Sequence, residues 1–259
     1  MTLEIDLEEI PTLRTSKLRL FSVIEDENAD IRDVERIIES DPAMAAKVIR
    51  IANSAFYGHA KTAKNIHDAV LVIGFDMVRC ITLSMAVMQT FSSKEKIASE
   101  LWRHSFAVAL TALSMGRSRD ERSSLFSGGL LHDLGRVVLV WKEPDAYIPL
   151  FQDSWPNITR EQETFTFDHT MIGETVAQRW HFPSEVIDII RHHHAPVSRL
   201  SSIIFLADLV VHQEEKRLET DLLRESSPVE KYLGETYPEF IHDMRNVYRQ
   251  STATIEGLI

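Results

Sequence analysis

The chain has 259 residues, 44% of them hydrophobic, which is enough apolar material for one large domain or two closely packed helical lobes. Its formal net charge is -11, and no block of lysine or arginine suggests a face for the phosphate backbone of nucleic acids. A single cysteine excludes an internal disulfide.

The first residues argue against export. Residues 1–9 are acidic and lack the basic start and the apolar stretch of a signal peptide. Uninterrupted apolar runs are far shorter than the roughly 18 residues that span a bilayer. We therefore expect a cytoplasmic protein that does not enter a membrane.

Helical signals dominate the first part of the chain, and the period-2 alternation of strands does not recur. Asp41 and Pro42 predict an N-cap and the first position of a helix that ends before Asn53. Four apolar residues nearer the N-terminus share one helical face: Leu13, Leu20, Phe21 and Ile24.

The next helices are bounded by capping residues. Asn65 predicts the start of a short helix that Gly74 closes. Asp76 is the predicted N-cap of a helix that continues through Phe91. A longer helix is predicted at about residues 94–115.

In the second half, polar pairs and glycines divide long apolar stretches. Residues 125–141 are mostly apolar and are interrupted by Gly128-Gly129 and by His132-Asp133. Residues 158–180 predict a helix broken near Phe167-Asp168. Two further helices are predicted over residues 183–194 and 200–212.

These elements predict an all-α fold in three parts. Residues 1–92 form an N-terminal helical lobe, residues 93–213 a second helical lobe, and residues 214–259 a C-terminal helical tail. The tail is charge-rich at its start, and it carries apolar side chains that can pack on the body.

The pair His132-Asp133 carries the most specific chemical signal. It lies in the apolar sequence Gly-Leu-Leu-His-Asp-Leu-Gly of residues 129–135, where both side chains would be costly to bury without partners. An imidazole nitrogen with carboxylate oxygens suits Fe, Mn, Zn or Mg. Neighbouring residues point about 100° apart on a helix, so the remaining ligands must come from other helices.

Other histidines and aspartates in apolar surroundings supply the rest of the ligand set. In chain order, the predicted metal ligands are His104, His132, Asp133, His169, His193, His194 and Asp208. A second interpretation stays open, in which these residues form a hydrogen-bonded polar core without metal.

The order of these residues resembles a known signature. His104, His132-Asp133 and Asp208 match the His…His-Asp…Asp signature of the HD superfamily of metal-dependent phosphohydrolases. The wider sequence resembles the HDOD family, the HD-related output domain, over about residues 10–212. The matching segments include residues 41–42, 47–58, 73–74, 102–105, 129–135, 168–169 and 193–196.

The resemblance implies an N-terminal helical lobe joined to an HD-like helical lobe, and a role in bacterial signalling. HDOD domains are generally not regarded as enzymes, and many have lost HD ligands that this chain keeps. We therefore predict a non-catalytic binding or scaffold module with a retained divalent-metal site. Its expected partners are other signalling proteins or a nucleotide ligand, and not nucleic acid or a membrane.

The alternative is a metal-dependent phosphohydrolase or phosphodiesterase that acts on a nucleotide or cyclic dinucleotide, with Asp133 as its catalytic residue. The chain departs from the HD-GYP cyclic-di-GMP phosphodiesterases in two ways. It has no Gly-Tyr-Pro segment after His193-His194, and it has Arg136 where they place a lysine. It has no glycine-rich phosphate loop near the motif. The cationic residues available to clamp a phosphate there are Arg103, Arg136 and Arg191.

Overall fold

A computed structural model of the protein describes residues 31–57, 62–91, 95–153, 158–216, 227–235 and 237–256. The helix predicted around residues 13–24 lies outside this part of the chain. The described residues form α-helices and short 3-10 turns and contain no strand, which confirms the predicted all-α fold.

In the described part of the N-terminal lobe there are four helices, and their ends follow from capping residues. Asp41 caps the second helix, where its Oδ1 accepts two backbone N–H groups at 3.0 and 3.1 Å. Gly74 ends the third helix with a φ of 96°, a backbone conformation that favours glycine. The next helix starts directly afterwards at Phe75. Asp76 therefore lies in its first turn, and the prediction that Asp76 is its N-cap was wrong. The helices are α1 (Ile31–Glu39), α2 (Pro42–Ala52), α3 (Ile66–Ile73) and α4 (Phe75–Phe91).

The second lobe contains eight helices among the described residues. Gly128 and Gly129 lie inside α6 and do not interrupt it, whereas His132-Asp133 does separate two helices. The predicted break near Phe167-Asp168 is present, with Asp168 as the N-cap of α10. The helices are α5 (Glu95–Leu113), α6 (Arg119–Leu131), α7 (Leu134–Lys142), α8 (Pro144–Asp153), α9 (Ile158–Phe165), α10 (His169–Arg179), α11 (Ser184–His192) and α12 (Arg199–Lys216).

The C-terminal part is helical as well. Its described residues after Lys216 form a 3-10 turn (Ser227–Val229), α13 (Glu230–Leu233) and α14 (Tyr237–Glu256). Helix α14 packs against α5, α12 and the 3-10 turn Ala55–Tyr57. One continuous set of buried apolar side chains extends from Val34 in α1 to Ile255 in α14, so all three predicted parts contribute to a shared core.

Two glycine contacts bring helices close together around His132-Asp133. A Cβ atom on Gly129 would lie 2.6 Å from the Cα of Ala109, so α6 and α5 nearly touch there. A Cβ atom on Gly135 would overlap the carbonyl oxygen of His169, at the start of α10. The break between α6 and α7 is therefore held tightly against two other helices.

Within the described residues, no single helix has both the length and the apolar composition to cross a membrane. The helices Ile66–Ile73 and Phe75–Val87 meet those criteria only as a pair, which is bent by 115° at Gly74.

Candidate metal centre

All seven predicted ligands lie together, although five separate parts of the second lobe supply them. Within each of two adjacent groups, one candidate ligand atom per residue lies within 4.8 Å of the others. The first group is Asp133, His169, His193 and His194, and the second group is His104, His132 and Asp208.

The local fold explains this convergence. His132 and Asp133 occupy the break between α6 and α7, and His169 is the first residue of α10. His193 and His194 directly follow the last residue of α11. His104 and Asp208 lie within α5 and α12, whose contact brings them together.

Four of the histidines share one orientation. In each, Nδ1 faces an oxygen that can only accept a hydrogen bond, so Nδ1 carries the proton. The partners are Gly129 O for His132 (2.8 Å), Ile190 O for His193 (2.9 Å), Glu161 Oε2 for His169 (2.7 Å) and Glu215 Oε2 for His104 (3.0 Å). Fixing Nδ1 in this way directs Nε2 of each ring towards the shared centre, as in metal-binding histidines.

In the first group, ring nitrogens of three histidines face one another. Nε2 of His169 lies 3.3 Å from Nε2 of His193 and 3.1 Å from Nε2 of His194. Burial lowers the pKa of His169, and it lowers that of His194 well below the usual range, so these two rings are neutral. Neutral imidazole nitrogens that face one another in this way are potential metal ligands.

The second group contains one neutral and one charged ring. Burial lowers the pKa of His132 to about 4, and its fully buried Nε2 has no hydrogen-bond partner among the residues that the structure describes. Burial also opposes a charge on His104, but Glu215 and Asp208 raise its pKa to about 10. Without a metal ion, His104 therefore donates from Nε2 to Asp208 Oδ1 at 2.9 Å.

Asp133 lies between the two groups. Its Oδ1 is 3.4 Å from Nε2 of His169, and its Oδ2 is 3.5 Å from Nε2 of His132. Burial alone would raise the pKa of Asp133, but the Arg136 guanidinium, 2.8 Å from Oδ1, holds it well below the usual range. The side chain is therefore an anionic carboxylate that can contribute one oxygen to each group.

A buried network fixes the far side of the first group. Glu161 accepts hydrogen bonds from the backbone N–H of His169 (2.8 Å) and from the hydroxyl of Tyr147 (2.8 Å), and it lies 3.4 Å from Arg136. Burial would raise the pKa of Glu161, yet His169 and Arg136 lower it to about 2. Glu161 is thus an anionic outer partner of His169.

Sequence reasoning assigned no role to Glu161 or Glu215. Both carry a readable signal, because each is an acidic residue at a core-facing helical position. Glu161 lies four positions before the buried Phe165, and Glu215 lies seven positions after Asp208 on the same face of α12. An acidic side chain on such a face needs a buried partner.

The donor set fits a divalent metal. It combines imidazole nitrogens, two anionic carboxylates and outer partners that orient the rings, which is the pattern of Zn, Fe or Mn sites. The unpartnered, buried Nε2 of His132 and the facing nitrogens of the first group are the observations that carry this fit.

An all-helical body around a buried His/Asp centre defines the class of HD-type domains. A family model described as the HDOD domain matches residues 10–196. The chain belongs to the HDOD family. Asp208 and Glu215 lie beyond the matched residues.

Three relatives illustrate this similarity. An uncharacterized protein of Treponema pallidum (strain Nichols) is 28% identical over 195 residues, which are 73% of this chain and 38% of the relative. The chain thus spans well under half of that relative's length.

The other two are crystal structures from Shewanella amazonensis SB2B. A proposed phosphohydrolase has a TM-score of 0.75 at 20% identity, with 97% of this chain and 96% of the other covered. A proposed metal-dependent phosphohydrolase has a TM-score of 0.66 at 25% identity, with 95% and 92% covered. The first shows the same fold.

Proposed function

We propose that the chain is a cytoplasmic signal-transduction domain that acts by binding, and that its buried centre holds divalent metal ions in the two ligand groups. The ions would join α5, α7, α10, α11 and α12 around Asp133. Signalling proteins or a nucleotide ligand would then contact the body that this centre holds together.

One observation carries the proposal of a metal site. Nε2 atoms of His132, His169 and His193 converge on Asp133, and each ring is fixed by a hydrogen bond at Nδ1. A metal-free polar core would have to leave the Nε2 atom of His132 buried without a partner, which is costly. The name of the Shewanella amazonensis relative at 25% identity is consistent with a metal.

The surroundings support binding more than hydrolysis. Catalysis by a metal needs an open coordination position and cationic groups that orient a phosphate. The three candidate cations are already engaged: Arg103 pairs with Glu215, Arg136 pairs with Asp133, and Arg191 pairs with Glu174. The ligand side chains of the first group are also almost completely buried, apart from the half-buried His194.

Elemental analysis of protein purified without chelator tests the metal. We expect iron, manganese or zinc in the wild type and a strong loss of metal in His132→Ala and Asp133→Ala. His192→Ala is the matched control, because His192 adjoins the ligands but belongs to neither group. A wild type without metal, whose two ligand variants unfold at the same temperature as the wild type, would reduce the centre to a polar core.

Activity assays on the same proteins test the binding role. We expect no multiple turnover of cyclic di-GMP, nucleoside triphosphates or simple phosphate esters. Metal-dependent turnover in the wild type that disappears in both ligand variants would instead establish the phosphohydrolase, with Asp133 in the catalytic machinery.

A further inference from the structure

Beyond the seven predicted ligands, the structure contains a carboxylate that holds one of them from outside. We propose that Glu215, near the end of α12, is a positioning residue for His104 and sets the affinity of the second ligand group for metal. This inference rests on the proposed metal-binding function. It adds a residue that lies outside residues 10–196, which the family model matches.

The contacts of Glu215 are directional. Its Oε2 accepts the Nδ1 proton of His104 at 3.0 Å, and its Oε1 lies 2.9 Å from the guanidinium of Arg103. Only 11% of the Glu215 side chain is exposed. Arg103 and His104 are neighbours on α5, so Glu215 spans both of them and has little freedom to turn away.

This geometry suits a partner of a metal ligand. A carboxylate on Nδ1 fixes the orientation of the ring and raises the basicity of Nε2, which faces Asp208 in the second group. His132 obtains its Nδ1 partner from a backbone carbonyl within its own helix turn. His104 relies on a side chain 111 positions away, so a single substitution can remove its support.

The adjacent Glu214 provides a matched control. It has the same charge and a similarly buried side chain, but it pairs with Arg245 and Arg249 of α14 and not with the centre. Loss of Glu214 therefore reports on the docking of α14 alone, whereas loss of Glu215 reports on His104.

The test is Co²⁺ binding by the full chain. After a chelator has removed bound metal, the protein is titrated with Co²⁺, and the visible absorption spectrum of the bound ion is recorded. At the second ligand group, we expect Glu215→Leu to weaken the affinity for Co²⁺ about 10–100-fold and to alter the absorption spectrum of the bound ion. Glu215→Gln keeps an oxygen acceptor, so its affinity for Co²⁺ should fall only about 3–10-fold. The affinity of Glu214→Gln should stay within about twofold of the wild type.

The outcomes separate this inference from the proposed function. A wild type that takes up no Co²⁺ at the second ligand group would contradict both the proposed metal site there and the role of Glu215. A wild type that binds there, with Glu215→Leu within twofold and an unchanged spectrum, would overturn only the role of Glu215. If Glu215→Leu does not fold, Glu215→Gln decides, and an affinity equal to that of Glu214→Gln refutes the inference.

Discussion

His104 and His132 differ in charge although their ring centroids are only 5.6 Å apart. His132 is buried with one backbone partner, and burial keeps it neutral. His104 lies between two carboxylates, and their attraction exceeds the cost of burying its charge. The partners of each ring, and not the residue type, decide whether it offers a lone pair or a proton.

Arg136 is a buried cation beside two carboxylates of the centre. Only 2% of its side chain is exposed, and it pairs with both Asp133 and Glu161. Arg136→Met would leave two buried carboxylates without their cation, so we expect a loss of about 3–5 kcal/mol in the free energy of unfolding. Urea denaturation of the chelator-treated protein measures it.

The exposed Arg160 provides the comparison for that experiment. Arg160→Met should change the unfolding free energy by less than about 0.5 kcal/mol, as surface substitutions do. Equal effects of the two substitutions would show that the buried ion pairs contribute nothing specific.

Cys80 is the single cysteine of the chain, and its thiol should react slowly. Burial raises its pKa to about 11, and its Sγ lies 2.7 Å from Oγ of Ser127. At pH 8 the thiolate fraction is then about 100-fold lower than for a thiol of ordinary pKa. Iodoacetamide labelling should therefore be about 100-fold slower in the folded than in the urea-unfolded protein, with Cys80→Ser as the blank. Equal rates would contradict the raised pKa of this partly buried thiol.

At the scale of elements, α7 and α10 meet through backbone atoms. Gly135 faces the carbonyl oxygen of His169 and the amide of Gly173, and neither can move aside like a flexible side chain. The contact therefore sets the distance between Asp133, just before α7, and His169, at the start of α10.

We expect Gly135→Ala to destabilise the protein by about 3 kcal/mol, because its methyl group forces the two helices apart. Metal affinity should fall in the same variant. Thr175→Ala, on the exposed side of α10, should stay within about 0.5 kcal/mol of the wild type. Thermal denaturation compares the three proteins, and an unchanged stability of Gly135→Ala would show that the helices can separate freely.

Sequence reasoning predicted local features better than contacts between elements. The cap at Asp41, the stop at Gly74 and the break before Asp168 follow from neighbouring residues and are present. Gly128-Gly129 was misread as an interruption, because these glycines allow close contacts with residues distant in sequence. Gly129 faces Ala109 of α5, and Gly128 faces Ile189 of α11. For the same reason the order of histidines and aspartates indicated a centre, while the pairing of Glu215 with His104 depends on the packing of α12 on α5.

At the scale of the molecule, the N-terminal lobe shares its core with the rest of the chain. Helix α4 packs on α6 of the second lobe, and the turn Ala55–Tyr57 packs on α14. Buried side chains of α4, such as Val78 and Ile81, belong to the same continuous core as those of α6.

Residues 1–92 expressed alone should therefore not fold as a stable unit. Their apolar surface would lose its partners on α6 and α14, and the burial that offsets conformational entropy would be incomplete. We expect a broad, non-cooperative thermal transition by circular dichroism, beside a sharp one for the full chain. A sharp two-state transition in the fragment would show that the lobe is independent.

The ligands are widely separated along the chain, and this separation affects when the centre forms during folding. His104 and Asp208 touch across 104 sequence positions, and His169 lies between them in the chain. Contacts of such separation require loop-closure entropy to be overcome first, so they form late in folding and slowly. The centre should therefore be completed only after the helices around it have docked, and a nascent chain cannot assemble it until α12 has been synthesised.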